Sequence, residues 1–119
     1  MNVEEFYKSI GGNYVKAKET MMNDEFIKRM LSKFISSDSY DALINAYNDG
    51  DMSAVFRAAH LLKGVTGNLS LTPLYEKSST ICELTRNLKE NETVDMSAQM
   101  NDFKNAYQMV KEGIKKLLV

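Results

Sequence analysis

Residues 52–69 read MSAVFRAAHLLKGVTGNL, and this stretch decides the fold. Its apolar residues Val55, Ala58, Leu62, Val65 and Leu69 recur at intervals of three and four, the spacing of one face of an α-helix. The helix starts after Asp51 and is expected to reach about Leu69. Place His60 at zero on a wheel turning about 100° per residue. The apolar stripe then lies on the opposite side. Gly64, Gly67, Lys63, Arg57 and Ser53 fall within about 60° of His60. The only histidine of the chain is therefore expected to face solvent, beside a lysine, an arginine and two glycines.

The same reading extends in both directions. Val3 to Ile10 forms a short helix that Gly11-Gly12 stops, and a second short piece runs from Tyr14 to Met22. Asn23-Asp24 caps a helix through Phe26, Ile27, Met30, Leu31 and Phe34, and Ser36-Ser37-Asp38 breaks it. Tyr40, Leu43, Ile44 and Tyr47 mark the next helix, ended by Asn48-Asp49-Gly50. Beyond Leu69, Thr72-Pro73 reads as an N-cap followed by proline at the first helical position. Leu74, Ser78, Ile81, Leu84 or Thr85, and Leu88 give that helix its inner stripe, and Asn91-Glu92-Thr93 forms the next turn. In the last helix Met100, Phe103, Tyr107, Val110, Ile114 and Leu117 keep the most regular repeat. Its Lys111, Lys115 and Lys116 read as a solvated end that complements the helix dipole.

With one proline and no segment of strand-like alternation, the chain reads as all-α. Short links favour antiparallel neighbours. The expected architecture is an antiparallel up-down-up-down four-helix bundle over about 38–118, with short extra N-terminal helices over 3–36. All 119 residues are expected to form a single domain. Tyr75, Tyr107 and Cys82 read as core or core-edge residues, the cysteine as a buried, inert thiol.

Composition excludes several classes of function. Fifteen basic and 16 acidic residues give a formal net charge of −1, against nucleic-acid binding. One cysteine and one histidine give neither a disulfide framework nor a nitrogen–sulfur zinc site, so no metal site is expected. The acidic start is no secretory signal, and no apolar run reaches the length of a membrane span. A cytoplasmic location is expected.

Each glycine inside a helix costs roughly 1 kcal/mol relative to alanine. Gly64 and Gly67 therefore need a reason. They can open the imidazole to an approaching partner, cap a shorter helix, or permit a close helix crossing. The apolar repeat running through both weakens the cap, and their place off the stripe weakens the crossing.

The residue types suggest a chemistry. An unperturbed imidazole, with a pKa of about 6.5, is largely neutral near pH 7 and nucleophilic. Lys63, one turn on, carries a compact ammonium that can pair with a phosphoryl group, and Arg57, one turn back, can help hold the same anion. No carboxylate lies one turn away as a general base, and no glycine-rich phosphate loop or nucleotide fingerprint occurs. The chain can accept a group on His60 but has no equipment for taking it from ATP.

The run Ala58-Ala59-His60-Leu61-Leu62-Lys63-Gly64-Val65-Thr66-Gly67-Asn68-Leu69 resembles the signature of histidine-containing phosphotransfer, or HPt, domains. The helix from Leu74 through Ile81, Cys82 and Glu83 to Arg86 fits the family's following helix, and Tyr40 to Arg57 its lead-in. The likeness covers most of the chain and is strongest from about Ala42 to Leu88. It implies a four-helix bundle with His60 as phosphoacceptor on the ring nitrogen far from the backbone. It also implies phosphate stabilisation by Lys63, with Arg57 beside it, and partner access over Gly64 and Gly67. Phe56, Leu61 and Asn68 are the expected docking surface.

The partners implied are a response-regulator receiver domain, a hybrid histidine kinase, or both. No cofactor is expected in this chain, Mg²⁺ being supplied by the receiver. The protein is expected to be a monomeric phosphocarrier without autokinase activity, in a multistep relay. Ser70 stands where the family usually has glycine, which bears on the geometry of the turn after Leu69. The alternative is a non-phosphorylated docking or inhibitory module that uses the same face against a receiver or kinase.

Overall fold

The computed structural model describes Met1–Val119 and is all-helical. Its helices are α1 (Val3–Ile10), α2 (Tyr14–Met21), α3 (Asp24–Ser36), α4 (Ser39–Asn48), α5 (Met52–Asn68), α6 (Thr72–Thr85) and α7 (Ser97–Leu117). Local chemistry sets most of these limits. Asn2 and Glu5 form a reciprocal capping box at the start of α1, and Gly11 ends it in the left-handed region at φ 70°. The side chains of Asn13, Asn23 and Asp51 each accept a backbone N–H at the start of α2, α3 and α5.

One hydrophobic core runs through the molecule, with α5 packed between α4 and α6, and α6 on α7. The core does not stop at residue 38. Val3, Phe6, Tyr7, Ile27 and Leu31 are fully buried, and α1 and α3 both pack on α7. The inner stripe of α7 is Met100, Phe103, Tyr107, Val110, Ile114 and Leu117, as its repeat requires, with Gly113 also buried. Tyr40 stacks on Tyr107, ring centroids 4.1 Å apart, and ties α4 to that stripe. Cys82 is buried and free, Tyr107 is buried, and Tyr75 stands at the edge.

Three expectations are corrected. Thr72 is the first residue of α6 rather than its cap; Leu71 is the cap and gives no side-chain hydrogen bond. Helix α6 ends at Thr85, which is buried, and Leu88 lies beyond it. The buried face of α5 is Val55, Ala59, Leu62, Thr66 and Leu69, with Ala58 and Val65 at its margin. A threonine fits at the centre because its hydroxyl donates to the Leu62 carbonyl at 2.7 Å. The two stripes differ by a rotation of about 40° on the wheel. This small rotation decides what surrounds the histidine.

Helix α5 closes with paired hydrogen bonds, Leu71 N to Thr66 O at 3.0 Å and Ser70 N to Gly67 O at 3.1 Å. That pattern requires a left-handed residue next to the cap, and Ser70 holds φ 56°. The backbone is thus that of a glycine position, occupied by serine. Helix α1 and the start of α2 brace the same corner: the buried Tyr7 hydroxyl donates to the Leu69 carbonyl at 2.6 Å, and Asn13 N donates to Ser70 O at 3.1 Å.

Candidate functional site

His60 is exposed midway along α5. Because the buried face is rotated, the centre of the exposed face passes through Gly64 rather than His60. His60 leans toward α6. Lys63, Gly67 and Phe56 lie on that side and meet α6, whereas Arg57, Leu61 and Asn68 lie on the other and are exposed.

A shallow depression is lined by His60, Lys63, Gly64, Gly67, Asn68 and Tyr75. A Cβ built on Gly64 would meet nothing within 4 Å. One built on Gly67 would lie 3.3 Å from the Tyr75 ring. The two glycines therefore differ. Gly64 leaves the space beside the imidazole empty. Gly67 admits a ring from α6, so the close crossing that its sequence position disfavoured is what it permits.

The charges around His60 come from two helices. Lys63 Nζ lies 4.0 Å from Glu83 Oε1 of α6. Arg86 Nε and Nη2 donate to the Glu83 carboxylate at 2.9–3.3 Å. The Arg86 guanidinium also lies over the Phe56 ring, 5.4 Å from its centroid, and that ring is tilted against His60 at 5.8 Å. The Arg86 hydrogen bonds hold the Glu83 carboxyl below its ordinary pKa against some desolvation, with the charges of Arg86 and Lys63 adding. Glu83 in turn raises Arg86. A chain of contacts thus leads from His60 through Phe56, Arg86 and Glu83 to Lys63.

Arg57 is not part of that chain. Its Nη1 donates to Ser53 Oγ at 2.7 Å, one turn back and on the side away from α6. Leu61 is 59% exposed. It edges a more apolar depression shared with Met30, Phe34 and Val65, and Asn68 borders both depressions. Glu83, Arg86 and Tyr75 went unassigned to the site because they lie one helix away in sequence. The only available signal was the Glu83–Arg86 spacing of an i,i+3 ion pair.

The site can offer an open imidazole, a nearby ammonium and room for a partner. No group of three or more His, Cys, Asp or Glu side chains is placed to hold a metal ion. No helix is long and apolar enough to cross a membrane. Comparison with protein families gives a match to the family described as Hpt domain over residues 29–113, which takes in α4, α5 and α6 whole and leaves out α1 and α2. Neither the curated proteins nor the solved structures give a match.

Proposed function

The chain belongs to the Hpt domain family, and from that premise we propose that His60 carries the phosphoryl group. The family's role is histidine phosphotransfer in two-component signalling, with receiver domains and kinases as partners. The observation that supports His60 is its isolation. It is the only histidine, it is exposed, and it stands beside Lys63 and an empty space over Gly64.

The reaction runs between His60 and an aspartyl phosphate of a receiver. The Nε2 lone pair forms the N–P bond as the acyl-phosphate P–O bond breaks. The aspartate leaves as a carboxylate with the electron pair of that bond. The Nδ1 hydrogen stays on the ring, which becomes a phosphorylated imidazolium. The transferred group brings three oxygens and a charge of about −1.5 to −2. Lys63 pairs with those oxygens, and the receiver brings Mg²⁺ to the in-line transfer. The reverse step discharges the histidine.

In this reading α4 to α7 form an antiparallel up-down-up-down bundle that holds α5 rigid beneath the imidazole. Phe56, Leu61 and Asn68 flank His60 as the docking surface. The chain is a monomeric cytoplasmic carrier in a multistep relay, without autokinase activity.

The test is transfer in vitro. Purified protein is mixed with phosphorylated receiver domains and Mg²⁺ beside the His60→Gln variant. The expected result is acid-labile, base-stable label on the wild type and none on the variant. Label that persists on His60→Gln would contradict the reading. Receiver binding without any label would favour a docking module instead.

A further inference from the structure

Glu83 is a carboxylate facing the one lysine that the phosphoryl group needs. It is not a loose surface charge. Two nitrogens of Arg86 hold it, and Arg86 is itself seated on Phe56, the ring tilted against His60. The carboxylate thus has a fixed place 4.0 Å from Lys63 Nζ. We propose that Glu83 is a positioning residue that competes with phosphohistidine for Lys63 and so keeps the carried phosphoryl group readily transferable. The proposal rests on the phosphocarrier reading of His60 and deepens it.

The balance of charges at Lys63 changes on transfer. Before transfer, Lys63 has one anionic neighbour within ion-pair reach, Glu83. After transfer it has two, Glu83 and the phosphoryl oxygens. Lys63 can turn toward the phosphoryl group only by loosening its pairing with Glu83. The fixed negative charge also repels the new one. Both effects raise the free energy of the phosphorylated state relative to a site without Glu83. A carrier that binds its cargo too tightly cannot pass it on, so a built-in competitor favours discharge of His60. The Lys63 and Glu83 side chains are 30% and 59% exposed, so solvent screens the pair. The expected effect is roughly two- to fivefold.

The Glu83→Gln variant removes the charge and keeps the shape and an oxygen for Arg86. His60 is phosphorylated chemically with phosphoramidate, so the measurement needs no receiver. Phosphohistidine lifetime is then followed in wild type, Glu83→Gln, Lys63→Ala and the double variant. The expected result is a lifetime roughly two- to fivefold longer in Glu83→Gln than in wild type. Without Lys63 only the direct repulsion is left, so Glu83→Gln is expected to lengthen the lifetime less in the Lys63→Ala background than in the wild type. A lifetime unchanged or shortened by Glu83→Gln overturns the proposal, as does an equal lengthening without Lys63. So does failure of phosphoramidate to label His60. If the lifetimes behave as expected but no receiver transfers to the protein, the competition stands and the receiver reading falls.

Discussion

Of the three glycines inside the long helices of this protein, Gly113 and Gly64 face opposite worlds. Gly113 of α7 is buried, and a Cβ there would meet Phe6 of α1 at 2.9 Å and 3.1 Å. Gly64 of α5 is exposed, and a Cβ there would meet nothing within 4 Å. Both carry the same helical penalty of roughly 1 kcal/mol relative to alanine. At Gly113 the fold recovers it, because the missing side chain lets α1 close on α7. At Gly64 the fold recovers nothing. A residue that weakens its helix and improves no packing calls for a reason outside the folded chain, and we propose that it is a partner approaching His60.

Substitutions can break this contrast. The largest expected effect is at Gly113. Overpacking costs about 1–3 kcal/mol, and alanine returns about 1 kcal/mol of helix propensity. Gly113→Ala is therefore expected to destabilise by up to about 2 kcal/mol in denaturant titration. Transfer per folded molecule is expected to stay unchanged. A neutral result would show that α1 does not need the close approach.

Gly64→Ala is expected to shift stability the other way, by up to about 1 kcal/mol. Phosphorylation by the small donor phosphoramidate is expected to proceed as in wild type, while transfer from a receiver slows. Undiminished receiver transfer would remove the access argument.

Ser70 sharpens the contrast, being a glycine position without a glycine. Its φ is 56°, and its buried hydroxyl has no hydrogen-bond partner. Left-handed backbone costs a non-glycine residue about 1–2 kcal/mol, and the extra freedom of glycine in the unfolded chain offsets about half of that. Ser70→Gly is expected to stabilise by about 0.5–1 kcal/mol, read from the same titration. A destabilised variant would mean that the serine side chain holds the corner.

The smallest effect is expected at Arg57. Its hydrogen bond to Ser53 is exposed, so Arg57→Ala is expected to change stability by no more than about 0.5 kcal/mol. It is also expected to shorten phosphohistidine lifetime less than Lys63→Ala does. Equal shortening would restore Arg57 as a phosphate ligand.

The helices were legible because their signals are local. Asn23 to Ser36 carries its own cap, and α7 carries its own period. The exposure of His60 was legible for the same reason. Its surroundings were not. A wheel places a stripe only to within about half a residue step, and a rotation of about 40° in the stripe is enough to turn Lys63 toward α6 and Arg57 away from it. Glu83 and Arg86 reach the site by helix packing, which no spacing within α5 encodes. The Tyr75 ring beside Gly67 was not legible either, because it comes from the neighbouring helix. Ser70, by contrast, was marked as standing in a glycine position, and the backbone there has the glycine conformation.

The central claim is that His60 receives the phosphoryl group. Phosphorus NMR on protein charged by a phosphorylated receiver tests it most directly. One phosphoramidate resonance, assigned to Nε2 of His60, is expected to grow as the receiver's aspartyl phosphate signal falls. A resonance on a hydroxyl or carboxylate, or loss of the receiver signal to inorganic phosphate alone, would contradict it.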